Sequence, residues 1–365
     1  MSYNIIKIIY NGVTLSQPGL IALLGSGETS AAGGQIFEAV AVQLGNPLTI
    51  SLLETPAGFE LNASRVAGRV ADFIKVRLQN YDPTVKLIPA RRRGTDFSPD
   101  SPAVLEDLLD SQMIFMGPGS PSYAIRQLQG SLAWAYVQAM HRMGAAVVMA
   151  SAATIALGSA ALPVYEIYKV GEDPFWKTGL DFLKPYGLSL VLMPHWNNSE
   201  GGSEVDTSRC FIGRARFDPL CSQLPADATV VGLDEHTGVI IDIAHQTGSV
   251  MGRGQIHILT DCQEQAFGEG EQFDLKALGP FHPLADIQIG IDPQVWQTVS
   301  EGRQRKLSAL KEPTSIPDEV KQLVEQREQA RLVKNWAESD RLRGEISARG
   351  WKVKDTPQGS QIERA

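Results

Sequence analysis

Ser151 and His195 carry the clearest chemical possibility in this chain. Ser151 follows a short apolar run at 145–149 and precedes Ala152-Ala-Thr-Ile-Ala-Leu157, small residues able to begin a helix. A serine on such a strand-to-helix turn stands above the carboxyl edge of a sheet, near free helix amides, where it can act as a nucleophile. It needs a base within hydrogen-bond reach, and the base needs a third group to orient it. His195, in Pro194-His195 after the apolar run 188–193, is the candidate base. Glu166, Glu172 and Asp173 lie between the two and are candidates to hold the imidazole. Gly117-Pro-Gly-Ser120 offers a turn where amides could meet a ligand, and an amide there together with one at Ala152 would make an oxyanion hole. Each feature also has a plainer reading. A serine after a strand is commonly a cap, a lone histidine is commonly structural, and Gly-Pro-Gly is equally a tight turn.

Other motifs are less telling. Gly25-Ser-Gly-Glu28 falls short of the dinucleotide fingerprint and lacks the Walker Gly-Lys-Ser/Thr, so neither NAD nor ATP is indicated. Arg91-Arg-Arg93 reads as a solvated loop, or as an attractor for an acidic substrate group. The three cysteines, Cys210, Cys221 and Cys262, form no CxxC pair, so a disulfide framework or zinc site is not expected, and reduced thiols are. No cofactor or metal is expected.

The elements that must position these residues can be read from the pattern. Apolar runs at 19–24, 47–53, 85–88, 112–116, 145–149 and 188–193 alternate with helical periodicity at 34–44, 57–78, 102–109, 123–128 and 133–143. A further β-rich run, 4–10, reads as an edge strand or part of a hairpin. The alternation predicts an α/β fold, a mostly parallel sheet sandwiched by helices, with ligands bound beyond the carboxyl ends of its strands. Gly25–Glu28, Gly117–Ser120, Ser151 and His195 all fall just after predicted strands. From Thr229 the rhythm changes to short β runs at 229–233, 239–243, 249–251 and 255–259, a predicted antiparallel β meander attached to the main sheet. Residues 317–349 are highly charged with apolar positions at helical spacing, a predicted C-terminal helical hairpin breaking near Lys334-Asn-Trp336 and followed by a polar tail at 351–358. The expected organisation is a domain over 1–265, a linker and extension over 266–314, and a helical module over 315–365.

Composition bounds the function. The chain has 365 residues, a formal net charge of -8 and 43% hydrophobic residues. This balance argues against broad nucleic-acid binding by the whole chain, since phosphate contacts need surplus Lys and Arg. The N-terminal run does not read as a signal peptide, and no apolar run reaches the ~18–20 residues a membrane span needs. A cytoplasmic protein with no membrane contact is expected.

Taken in order, Gly25-Ser-Gly-Glu28, Gly117-Pro-Gly-Ser120, Ser151-Ala152, Pro194-His195 and Gly232-Leu-Asp-Glu-His-Thr-Gly238 resemble the dipeptidase E and cyanophycinase family. Its members are serine peptidases with a class I glutamine amidotransferase-like fold. The resemblance covers roughly residues 18–262. It implies Ser151 as nucleophile, His195 as base, and oxyanion or substrate contacts at Gly117, Gly119, Ser120 and Ala152. It places a third carboxylate about fifteen residues after the nucleophile, which here is Glu166. It also implies a supporting role, with no catalytic step, for Asp234-Glu-His-Thr. The family's usual Gly-x-Ser-Ala-Gly reads Met149-Ala-Ser151-Ala-Ala153 in this chain. Glycine suits a crowded, strained elbow, so either the turn is reshaped here or the activity is lost. The implied function is a serine hydrolase of peptide or isopeptide-type amides acting on a small peptide-like substrate. The alternative is a catalytically inactive binding or regulatory protein. Glutaminase chemistry, which uses cysteine, is disfavoured by Ser151.

The C-terminal stretch resembles the extreme C-terminal segment of cysteinyl-tRNA synthetase, through Gln326-Arg-Glu-Gln-Ala-Arg331, Lys334-Asn-Trp-Ala-Glu-Ser-Asp340 and Asp355-Thr-Pro-Gln-Gly359. The resemblance covers about residues 315–360 and implies a module that contacts tRNA. The synthetase's nucleotide-binding motif and zinc ligands are absent, so aminoacylation is not implied. Between residues 317 and 364 ten Lys and Arg face nine Asp and Glu, a balance that gives no clear electrostatic footprint for RNA and favours a solvated hairpin docked on a partner.

Overall fold

The computed structural model describes residues 9–10, 13–14, 17–261, 263–311, 317–356 and 359–364. The expected strand at 4–10 lies mostly outside them; its end, Ile9–Tyr10, pairs with Val13–Thr14. The chain divides into two compact units, one ending at Arg303 and the other beginning at Gln304.

The first unit is mixed α/β with two multi-stranded sheets among the described residues. The larger has eight strands in the spatial order Gln272–Asp274, Thr247–Gly252, Thr237–Asp242, Ile21–Leu24, Ala146–Ala150, Met113–Met116, Leu48–Leu53, Pro83–Ile88. From Ile21–Leu24 to Pro83–Ile88 the neighbours run parallel, and the other three join antiparallel. Alternate residues serve opposite faces. Ala22, Leu24, Ile50, Leu52, Val148 and Ala150 pack with Ile36, Phe37 and Val40 of helix Ala31–Leu44 and with Val70 and Ile74 of helix Ala63–Arg77. Ile21, Leu23, Ile114, Met116, Val147 and Met149 enter the opposite core, shared with helices Pro121–Leu128 and Leu132–Arg142. Burial on both faces is why these strands read as unbroken apolar runs.

The smaller sheet corrects the sequence expectation of a single main sheet. Its order is Gln263–Phe267, Ile256–Thr260, Ala228–Leu233, Ser189–Met193, Ala160–Ala161, Lys177–Thr178. Ser189–Met193, the strand that ends before His195, therefore belongs to a different sheet from the strand that ends at Ser151. The expected meander is divided between sheets: Ala228–Leu233 and Ile256–Thr260 pair in the smaller, Thr237–Asp242 and Thr247–Gly252 in the larger. An apolar run announces a buried strand but not its partner, because runs from either sheet look alike. Leu190, Leu192, Val230 and Ile258 join the same core as Met149 and Leu23, so one continuous apolar layer fixes both sheets. Residues beyond 265 extend this unit: Phe273, Leu275, Leu278, Phe281 and Val299 are buried in its core.

The second unit has helices Asp318–Leu332 and Trp336–Ala348. The turn between them falls at the predicted break, with the Asn335 side chain accepting from the Glu338 N–H. The expected polar tail is instead a strand, Trp351–Thr356, paired antiparallel with Gly359–Arg364. Trp351 and Val353 alternate inward onto Val320, Val324 and Ile346, a period of two that the surrounding lysines disguise. Arg327 is buried beside this core, and its guanidinium donates to both Asp355 oxygens at 2.8 and 3.0 Å.

Candidate active site

Ser151 connects strand Ala146–Ala150 to helix Ala152–Leu157 with φ 51° and ψ -114°. A positive φ is unusual for a residue with a Cβ and is held here by tight surroundings. The Ser151 N–H donates to Leu24 O at 3.3 Å, and the Thr154 hydroxyl donates to the same carbonyl at 3.0 Å. Met149 and Ala153 are buried, Met149 completely. The bulky side chain that replaces an elbow glycine thus fills the core beneath the turn, and the sharp turn forms with alanine at 153.

The larger sheet brings the nucleophile candidate and the smaller sheet brings its partners. Ser151 Oγ and His195 Nε2 are 3.0 Å apart. His195 Nδ1 is 2.8 Å from Glu235 Oε1, so the ring is hydrogen-bonded at both nitrogens. Strand pairing explains the meeting. Ser189–Met193 and Ala228–Leu233 run side by side in parallel with Met193 opposite Gly232, so His195 and Glu235 leave neighbouring carboxyl ends together. The two turns are stitched to each other: Trp196 N–H donates to Leu233 O at 3.0 Å, Glu235 N–H to Asn197 Oδ1 at 2.8 Å, and Asn198 Nδ2 to Glu235 Oε1 at 2.9 Å. Gly25 joins them to the larger sheet. The His195 N–H donates to Gly25 O at 3.3 Å, and a Cβ on Gly25 would lie 2.1 Å from Asp234 O.

Glu235, not Glu166, is the carboxylate on His195. Glu166 begins a single π-helical turn, Glu166–Val170, beyond the short strand Ala160–Ala161, and its Oε2 is buried without a hydrogen-bond partner among the described residues. Spacing from the nucleophile misled because the chain between Ser151 and His195 changes sheets. The signal for Glu235 was available: it stands two residues past an apolar run, the same placement that singled out His195. Burial pushes the Glu235 carboxyl up, but hydrogen bonds from Asn198 and His195 and the histidine charges outweigh it, so its pKa sits below the ordinary glutamate value. Glu235 is thereby kept as an anion beside the imidazole.

The site has an aromatic wall. The Phe211 ring lies 5.1 Å from that of His195, and Tyr168 lies 5.5 Å from Phe211. Arg209, Cys210 and Phe211 are three successive residues at positive φ, 59°, 60° and 70°. Their loop is anchored by Cys210 N–H donating to His195 O at 3.1 Å. Burial, with Glu235 adding, pushes the Cys210 thiol up to about 12, which leaves it unreactive as a nucleophile. Cys221 is likewise buried, and Cys262 lies outside the described residues.

Gly117-Pro-Gly-Ser120 follows strand Met113–Met116, the neighbour of the Ser151 strand. Gly119 has φ 149°, and a Cβ there would lie 2.1 Å from Pro56 O, so only glycine fits. Ser120 is engaged in structure: its N–H donates to Pro56 O at 2.9 Å and its hydroxyl accepts from Tyr123 N–H at 3.1 Å as the cap of helix Pro121–Leu128. The Ala152 N–H opens the helix after Ser151, where no intrahelical acceptor exists.

Known proteins resemble the two units separately. Over 71% of this chain and 98% of the other, the structure matches the crystal structure of a peptidase from an acI-B1 Actinobacterium, with a TM-score of 0.57 and 18% sequence identity. At that identity the likeness concerns the fold. Residues 314–362 match the family described as cysteinyl-tRNA ligase anticodon binding domain. Fifty residues are 52% identical to a cysteine–tRNA ligase of Caldicellulosiruptor saccharolyticus, 14% of this chain and 11% of that protein. Forty-nine are 55% identical to one of Chlamydia trachomatis serovar A, 13% of this chain and 10% of that protein. The chain therefore spans about a tenth of the length of these ligases, and the family match over residues 314–362 lies within the second unit.

Proposed function

We propose that this chain is a serine hydrolase of peptide or isopeptide-type amides. The observation that carries the reading is the continuous chain of hydrogen bonds from Ser151 through His195 to Glu235, 3.0 and 2.8 Å, with the serine half-buried on the strand-to-helix turn. In this reading Ser151 Oγ attacks the amide carbonyl carbon while His195 Nε2 takes its proton. Glu235 stabilises the imidazolium and fixes the ring so that Nε2 faces the serine. The Ala152 and Gly119 amides stabilise the oxyanion. His195 then passes the proton to the leaving nitrogen, and the amine departs. Water, activated by the same imidazole, releases the acyl group and restores Ser151. Gly117 and Ser120 belong to the same turn as Gly119 and help form the oxyanion or substrate contacts, and Glu166 takes no part in the proton transfer.

We further propose that the second unit contacts tRNA, supported by its match to an anticodon binding family over residues 314–362. The test of the hydrolase is incubation of a mixed peptide and isopeptide library with the full chain and with Ser151→Ala, followed by mass spectrometry. Substrates consumed by the parent alone support the reading. A library left intact by the folded parent refutes it and leaves the binding role of the second unit as the chain's activity. The tRNA contact is tested separately by filter binding of the full chain across salt, where a flat signal at low salt removes it.

A further inference from the structure

Behind the His195–Glu235 pair lies a second group of titratable side chains that the proposed reaction does not use. His257, on strand Ile256–Thr260, directs Nε2 to Asp234 Oδ1 at 3.3 Å and Nδ1 to Glu264 Oε1 at 2.5 Å. Its side chain is 12% exposed, and that of Asp234 is 9% exposed. The His257 ring lies 5.7 Å from that of Trp196, which also meets the Phe217 ring at 5.2 Å and the Arg209 guanidinium, 3.7 Å from the ring centroid. Arg209 also reaches Glu264 at 3.9 Å. The two residues this cluster grips are the chain neighbours of the proposed catalytic pair: Trp196 follows His195, and Asp234 precedes Glu235.

The geometry of the cluster ties three elements together. The His257 ring faces a carboxylate side chain at each nitrogen, Asp234 on one side and Glu264 on the other. Asp234 is further fixed by Oδ2, which accepts from Gln255 N–H at 2.9 Å. We propose that His257, bridging Asp234 and Glu264, is a positioning residue for the Glu235–His195 pair. It holds the turn carrying Glu235 against the turn carrying His195 at a point where direct hydrogen bonds alone would leave the Asp234 carboxylate poorly satisfied. The inference rests on the hydrolase reading, and its test separates the two.

The first measurement uses the unmodified protein: nitrogen-15 NMR of the histidine rings, with His257 assigned by substitution. Both His257 ring nitrogens are expected to show hydrogen bonds to carboxylates, and a ring engaged by neither overturns the proposal. The second is the rate of labelling by a fluorophosphonate, in which Ser151 Oγ bonds to phosphorus and fluoride leaves. His257→Phe keeps a ring on Trp196 but loses both ring nitrogens. Displacing a catalytic pair by about 1 Å can cost roughly 100-fold, so a 10- to 100-fold fall in kinact with KI unchanged is expected, together with loss of the low-field His195–Glu235 proton resonance. His257→Gln, which retains a donor, is expected to recover part of the rate. Should His257→Phe fail to fold, Glu264→Gln at the outer end of the cluster replaces it, with a fall in kinact again expected. A folded variant labelling at the parent rate overturns the positioning role alone. A parent chain that does not label at all overturns the hydrolase reading and the positioning role with it.

Discussion

Replacing Glu235 by glutamine removes a charge from His195 while leaving an oxygen near its Nδ1. The cost can be worked from the geometry. Unit charges about 4 Å apart interact by about 4 kcal/mol at an effective dielectric near 20. The side chains are 17% and 30% exposed for His195 and Glu235, so water screens part of this, and about 3 kcal/mol of imidazolium stabilisation is a reasonable share. At 1.36 kcal/mol per tenfold, the loss corresponds to a roughly 100-fold slower reaction at Ser151. The assay is the second-order rate constant for fluorophosphonate labelling, which needs no knowledge of the natural substrate. Glu166→Gln is the control and is expected to label at the parent rate, because Glu166 makes no hydrogen bond to His195. Equal rates for Glu235→Gln and the parent, or an equal collapse in Glu166→Gln, would refute the assignment of the carboxylate.

Three further outcomes follow from the packing and the charges. Met149→Gly, which supplies the glycine that related elbows carry, empties a fully buried site and should lower stability by about 3–5 kcal/mol in chemical denaturation rather than improve the site. His141 is completely buried and its pKa is lowered to about 3, chiefly by desolvation and then by Arg142. An unfolded histidine titrates near 6.5, so the unfolded chain gains a proton that the folded one refuses, and stability is lost as pH falls from about 6.5 toward 3. The loss is on the order of 5 kcal/mol, read as a shallower acid limb of the stability curve in His141→Gln than in the parent. In the second unit, Asp355→Asn leaves the buried Arg327 charge poorly compensated. Asp355 is itself 37% exposed, so water offsets part of the loss, and a cost of about 2 kcal/mol is expected, measured by hydrogen exchange across residues 317–356.

What was legible in the sequence follows the reach of local signals. Ser151 and His195 could be found because each ends an apolar run, and the carboxyl-end rule applies to either sheet. The helix break at Lys334–Trp336 was legible for the same reason, since Asn335 is a recognisable cap. Which sheet a strand joins was not legible. Ser189–Met193 pairs with Ala160–Ala161 and Ala228–Leu233, a choice made by long-range packing that no period of two encodes. That missing fact is why spacing from Ser151 points to Glu166 while Glu235 meets His195 in space. The doubt over Met149 had a similar source. Crowding at the elbow was inferred from residue size, yet the side chain of a strand residue can turn away from the turn it precedes, and Met149 occupies the core with Met116 and Leu23. The strand Trp351–Thr356 was hidden because its outward positions are lysines and its inward ones are too few to set a pattern.

The central claim is that Ser151 is an activated nucleophile. Fluorophosphonate treatment of the folded chain, followed by proteolysis and peptide mass spectrometry, tests it most directly. The account predicts a single adduct on Ser151, absent from Ser151→Ala and strongly slowed in His195→Ala. A folded chain that carries no adduct, or carries it on another residue while Ser151 stays unmodified, would contradict it.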